Sequence, residues 1–259
     1  MISYENKFLF IHVPRTGGTS IEYFFKKNLT PRENHGFSAS KAEWASWKAQ
    51  DKSGFVRPEK DLLKSQHIHA HKAQDIFLKN NINYGDFFKF SFVRNPWERL
   101  VSYYFYNHYT YVALNEAVFR PFSEFMKAKI VAPEPTHSYK KNALLFGGNE
   151  YTRLQSRPLF TQEFWLFDDE DNLLVDFVGR FENLQSDFDL ICDKLQIPRG
   201  TLRKERACGD VESCPWHQQR GIKIPKYNHY TQYYDAETLD LVNGLVQKEA
   251  DYWGYKFGE

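Results

Sequence analysis

The chain has 259 residues, 42% apolar and 26% charged, a globular composition long enough to bury a core without disulfide or metal staples. The 34 Lys and Arg balance 33 Asp and Glu, and a net charge of +1 argues against a polyanion-coating surface, and so against nucleic acid as a partner, while leaving room for a local basic pocket. No run reaches the roughly 18 apolar residues of a membrane span. MISYENKFLFIHVP lacks the features of a secretory signal, and Cys192, Cys208 and Cys214 cannot all pair within one chain. The expectations are no integral membrane segment, no disulfide scaffold and a reducing, cytoplasmic location.

In chain order, KFLFIHV at 7–13 is a short apolar run ending at Pro14, the pattern of a buried strand. Residues 14–18 form a turn with two glycines. TSIEYFFKKNL then reads as a helix with Ile21, Phe24, Phe25 and Leu29 on its apolar stripe and Lys26 and Lys27 near its end. Residues 30–66 are polar and weakly patterned, with a helix expected around 40–50, and another is expected over 72–80. FKFSFV at 88–93 is a second strand. It runs into Asn95 and Pro96, an N-cap and first-turn pair, and then the helix PWERLVSYYFY. Residues 121–130 read as helix and 131–150 as loop. LLVDFV at 173–178 reads as a strand ending at Gly179, 184–195 as a helix and 198–226 as irregular. A last helix over 235–250 carries Leu239, Leu241, Val242, Leu245 and Val246. Alternating strands and helices predict an α/β fold, a mainly parallel sheet with helices on both faces. No boundary, repeat or low-complexity segment divides it, so a single domain over 1–259 is expected. Aromatics make up 17%, with 23 Phe and 16 Tyr. Most Phe fall in strand-like or helix-periodic runs, which favours a core built of Phe over a surface for stacking sugars or bases.

HVPRTGGTS at 12–20 is the sharpest motif. A strand ends, two glycines turn the backbone and a helix begins, so the N–H groups of Thr16, Gly17, Gly18, Thr19 and Ser20 converge on one spot with the positive helix end behind them. The hydroxyls of Thr16, Thr19 and Ser20 and the charge of Arg15 complete a spot suited to phosphate or sulfate. The plainer alternative is an ordinary turn capped by Thr or Ser. No Lys follows the glycines, so the nucleotide-triphosphatase pattern is absent and a small-molecule kinase is disfavoured.

SFVRNPWERLVSYY at 91–104 repeats the architecture. Arg94 lies at a strand end, where open α/β sheets bind ligands. Asn95, Arg99 and Ser102 share one helix face, because four residues advance about 40° past one turn and seven fall about 20° short of two. Arg94 and Ser102 could both reach one anion; the alternative is a solvated face with an Arg94–Glu98 pair. Two such sites on successive strand ends imply a ligand with two separated anionic groups.

QHIHAHK places His67, His69 and His71 at alternate positions, on one face if the segment is extended. A metal site, a polar structural cluster and a general base are the competing readings. A base suits an acceptor hydroxyl that must lose its proton near neutral pH.

Taken together, HVPRTGGTS and FVRNPWERLVSYY resemble the sulfotransferases that use 3′-phosphoadenosine 5′-phosphosulfate (PAPS), in particular the carbohydrate branch. VDFVGRFENLQSDF at 175–188 and the stretch from YNHYTQYY to DYWGYKF at 227–257 are similar to that family's downstream blocks. The resemblance implies the sulfotransferase fold, a P-loop-like parallel sheet flanked by helices. It implies PAPS as co-substrate, no metal, and a hydroxyl-bearing acceptor, most readily a carbohydrate. Residues 15–20 would take the 5′-phosphosulfate, with Arg15 also stabilising charge on the leaving phosphate, and Arg94 and Ser102 the 3′-phosphate. A histidine just upstream of the second strand would be the base: His69 first, with His71 and His67 behind it. Lys226, with Lys223, could close over a phosphate; Arg180, Gln155 and Arg157 could face donor or acceptor. The family usually has Lys where this chain has Arg15, a planar fork in place of a point charge. Residues 30–66 and 105–150, rich in Trp and Tyr, would shape the acceptor site. The alternatives are a P-loop small-molecule kinase and a catalytically inactive nucleotide-binding protein.

Overall fold

A computed structural model describes residues 1–29, 67–107, 120–130, 161–203 and 227–259. The helix expected around 40–50, the loop 131–150, Gln155, Arg157, Lys223 and Lys226 lie outside the described residues. The chain divides into two compact units: Met1–Val93 with Lys141–Arg203, and Arg94–Lys140 with Lys204–Glu259.

The first unit is built on a mixed sheet in the order β1 (Ile2–Ser3), β2 (Phe8–Ile11), β3 (Phe88–Val93), β4 (Phe177–Arg180). β1 pairs antiparallel with β2, whereas β2, β3 and β4 run parallel with Ile11 opposite Ser91 and Val93 opposite Arg180. The carboxyl ends of the three parallel strands therefore open along one edge, the edge at which α/β sheets present their ligand loops. Alternation puts Phe8 and Phe10 of β2 on the same sheet face as Phe90 of β3, where the Phe10 and Phe90 rings stack at 5.1 Å. Helix α1 (Gly18–Asn28) covers that face with Phe25, 4.6 Å from the Phe8 ring. Helix α6 (Leu184–Leu195) adds Phe188, 4.8 Å from Phe24. The aromatic content among these residues is thus core packing, with Phe8, Phe10, Phe25, Phe90, Phe92 and Phe188 buried. Helix α2 (Ala70–Lys79) sets Phe77 against Phe87 and Tyr84.

The strand expected at 173–178 is displaced to Phe177–Arg180 for a local reason. The Asp168 carboxylate accepts from the amides of Glu170 and Asn172, which folds the chain back so that Leu174 N–H bonds the Leu166 carbonyl and Leu173 bridges Phe167. The apolar LLV run is consumed in that turn. Gly179, expected to end the strand, lies within it opposite Phe92, where a Cβ would stand 2.4 Å from the ring. Helix α5 (Glu163–Leu166) and β1 were not anticipated; four and two residues are too few to show a period.

The second unit holds α3 (Pro96–Asn107), α4 (Phe122–Ile130) and α7 (Ala236–Trp253). Asn95 caps α3 as expected, its Oδ1 accepting from the amides of Trp97 and Glu98 at 3.2 and 3.3 Å. Its Nδ2 donates to Tyr230 Oη and to the Lys256 carbonyl, while Tyr234 Oη donates to the Trp97 carbonyl at 2.9 Å. The YNHYTQYY block is thereby tied to the start of α3. Asp235 caps α7 by accepting from Thr238 N–H, hydrogen bonding by the Thr238 side chain and backbone holds its carboxyl below the usual range, and Gly254 ends the helix at φ +67°. No helix among the described residues is long and apolar enough to cross a membrane.

Candidate active site

The motif at 12–20 joins the end of β2 to α1. Arg15 and Gly17 both have left-handed backbones, at φ +72° and +82°. For Arg15 that conformation costs about 1–2 kcal/mol, strain of the kind that persists where surrounding structure imposes it. Left-handed residues at alternate positions are the backbone habit by which a loop can form a nest of N–H groups, and the amino end of α1 follows at Gly18. A Cβ at Gly17 would stand 2.8 Å from Leu184 Cδ2, so the β4–α6 turn packs against the nest. Gly18 is needed for space rather than conformation, because a Cβ there would meet the His12 ring at 2.2 Å.

The hydroxyl contributions differ from those expected. No side chain caps α1, so the plain turn capped by Thr or Ser is not what forms. Thr16 is buried and its hydroxyl donates to the Val13 carbonyl at 2.8 Å, bracing the loop. Ser20 is buried and its amide donates to the Gly17 carbonyl, whereas Thr19 is exposed. The loop thus offers an anion chiefly its backbone amides and the half-buried Arg15.

The histidine segment is brought to this loop by His67, whose Nδ1–H donates to the His12 carbonyl at 2.9 Å. The three histidines do not share a strand face. His69 is the last extended residue before α2 and His71 is helical. His69 is 5% exposed; its Nδ1–H donates to the Phe164 carbonyl at 2.9 Å and its ring stacks on Trp165 at 4.3 Å. Burial pulls the His69 pKa down to about 4, and burial with the neighbouring His12 pulls that of His67 down to about 3. Both are therefore neutral at pH 7. No cluster of three or more His, Cys, Asp or Glu able to hold a metal ion occurs among the described residues.

These depressions set the acid stability. An unfolded histidine takes its proton below pH ~6.5, whereas the folded one resists until pH falls to its lowered pKa, so stability declines as pH drops through that window. At pH 5 the loss is on the order of 2 kcal/mol for each of the two. Urea unfolding should show a clearly lower midpoint at pH 5 than at pH 7, with a smaller decline in His67→Asn. A midpoint independent of pH would contradict the buried neutral state.

In the second unit, Arg94 forks Glu98, with Nε to Oε2 at 3.1 Å and Nη2 to Oε1 at 2.7 Å. The Arg94–Glu98 pair of the alternative reading is therefore present, but the helix face is not solvated. Asn95, Arg99 and Ser102 lie on a buried face of α3, as their spacing predicts. At the end of β4, Arg180 is exposed and its N–H donates to Asp187, so Asp187 serves the main chain.

Two buried polar residues that motif reading passes over are His12 and Glu22, paired at 2.8 Å. The available signal was Glu22 itself, a carboxylate on the helix stripe that also carries Phe25 and Leu29.

The loop and the amino end of α1 thus lie at the carboxyl ends of the parallel strands of an α/β sheet. Residues 1–213 match the family described as the sulfotransferase family, and the chain belongs to that family. The matched span ends before the 227–257 block. No match is found among the curated proteins or the solved structures.

Proposed function

We propose that this sulfotransferase moves a sulfuryl group from PAPS to a hydroxyl of an acceptor, a carbohydrate in the first instance. The single observation supporting it most is the loop itself: Arg15 and Gly17 left-handed, Gly18 opening α1, and no Lys after the glycines. The donor supplies an activated sulfuryl group on a phosphate leaving group. The acceptor oxygen forms the new S–O bond as the bond to the 5′-phosphate breaks, and the acceptor proton passes to a histidine. The amides of Thr16, Gly17, Gly18 and Thr19 hold the 5′ end, the Ser20 amide being engaged by the Gly17 carbonyl, and Arg15 stabilises charge gathering on the departing phosphate. Arg94 and Ser102 hold the 3′-phosphate, and Lys226 contributes from the C-terminal part. His69 takes the proton, supported by its neutral state and a tautomer set by the Phe164 carbonyl, with His71 as the alternative base. Both units belong to one sulfotransferase domain over 1–259, working in a reducing cytoplasm.

The test is transfer of labelled sulfate from PAPS across polysaccharides, glycolipids and small alcohols. Label on a glycan is the expected result. Label confined to phenols would remove the carbohydrate assignment, and none on any acceptor would favour an inactive nucleotide binder.

A further inference from the structure

The roles above leave unused a buried titratable pair among the described residues. His12 closes β2, and Glu22 lies in the second turn of α1; they are 3% and 4% exposed. His12 Nδ1–H donates to Glu22 Oε1 at 2.8 Å. The ring stacks on Phe10 at 5.6 Å, meets the His67 ring edge-on at 4.4 Å, and sets its Cδ2–Nε2 edge against Gly18. His12 is thus a wedge between the sheet and the first turn of α1. Its carbonyl is also held, by His67 Nδ1–H. A polar pair inside a phenylalanine-rich face is poor value for stability alone, since an apolar pair of similar volume would serve as well. What it adds is direction: a hydrogen bond fixes where α1 begins relative to the end of β2, and everything between is the nest.

We propose that His12 and Glu22, with His67, form the positioning element of the anion-binding loop, holding the amides of residues 16–20 in place and tying the histidine segment to the same residue. The proposal rests on the donor reading only for the identity of the anion.

Hydrogen exchange of the ligand-free full chain tests it, together with calorimetry of adenosine 3′,5′-bisphosphate. Glu22→Ala should raise exchange at the amides of residues 16–20 by about tenfold or more, without a comparable rise in β3 or α7, and should weaken the bisphosphate by about tenfold. Glu22→Gln retains an acceptor oxygen for His12 and should stay within about threefold of the wild type in both measurements. A folded Glu22→Ala with unchanged loop exchange, or a Gln variant as impaired as the Ala, overturns the proposal. If Glu22→Ala does not fold, His67→Phe carries the test. It keeps an aromatic ring against His12 and removes the bond to its carbonyl. Exchange at residues 15–18 should rise by about threefold, and no rise there refutes the positioning role. If the wild type binds no bisphosphate but loop exchange responds as stated, the donor reading fails and the positioning role stands. If it binds and neither measurement responds, the reverse holds.

Discussion

His69→Ala is expected to lower kcat by about 10²–10⁴ while leaving affinity for adenosine 3′,5′-bisphosphate within about twofold. Three features support the separation. The Phe164 carbonyl accepts a hydrogen bond from Nδ1–H, which leaves Nε2 as the basic atom. Burial lowers the pKa to about 4, so the imidazole is neutral and able to accept a proton throughout the physiological range. The Trp165 ring fixes the imidazole plane, so the basic atom has one orientation. The sign of the pH dependence follows. A base works only when unprotonated, so kcat/KM should be flat from pH 8 towards 5 and fall as pH drops through about 4. An acid limb near pH 6.5 instead would mean that a group with an ordinary histidine pKa is the base. Loss of bisphosphate binding equal to the loss of turnover would remove His69 from the catalytic role. A large kcat loss in His71→Ala with none in His69→Ala would transfer that role.

Arg94→Ala is expected to weaken the bisphosphate by about 30–100-fold, from the loss of a charge-assisted contact to the 3′-phosphate worth roughly 2–3 kcal/mol. Adenosine 5′-monophosphate, which lacks that phosphate, should bind the variant and the wild type alike. Arg94 pairs with Glu98, one turn further on. Such an i,i+4 pair contributes little to stability, so the melting temperature should move by no more than a few degrees. Equal weakening of both nucleotides would show that Arg94 supports the fold rather than the 3′-phosphate.

The legible parts of the fold were those whose signal is local. FKFSFV and Asn95–Pro96 announce a strand and a capped helix from adjacent residues, and β3 and α3 lie there. Helix α6 occupies 184–195 as its period indicates. What was not legible depends on contacts that no strand or helix period encodes. LLV at 173–175 is as apolar as any strand, yet the Asp168 turn folds it onto residues 166 and 167. The alternation of His67, His69 and His71 fits a strand only if the segment stays extended, and α2 begins at Ala70. HVPRTGGTS announced the loop but not the His12–Glu22 pair, which spans that loop and the first turn of α1 and becomes visible only when α1 lies on β2. The second glycine illustrates the same limit: its reason is the His12 ring, which no spacing rule contains.

Whether the donor is held at both its phosphate ends, as proposed, is read by calorimetry on the wild-type chain. Adenosine 3′,5′-bisphosphate should bind at least about 30-fold more tightly than either adenosine 5′-monophosphate or ATP with Mg²⁺, since each lacks the 3′ contact. ATP with Mg²⁺ binding as tightly as the bisphosphate, or more so, would contradict the account.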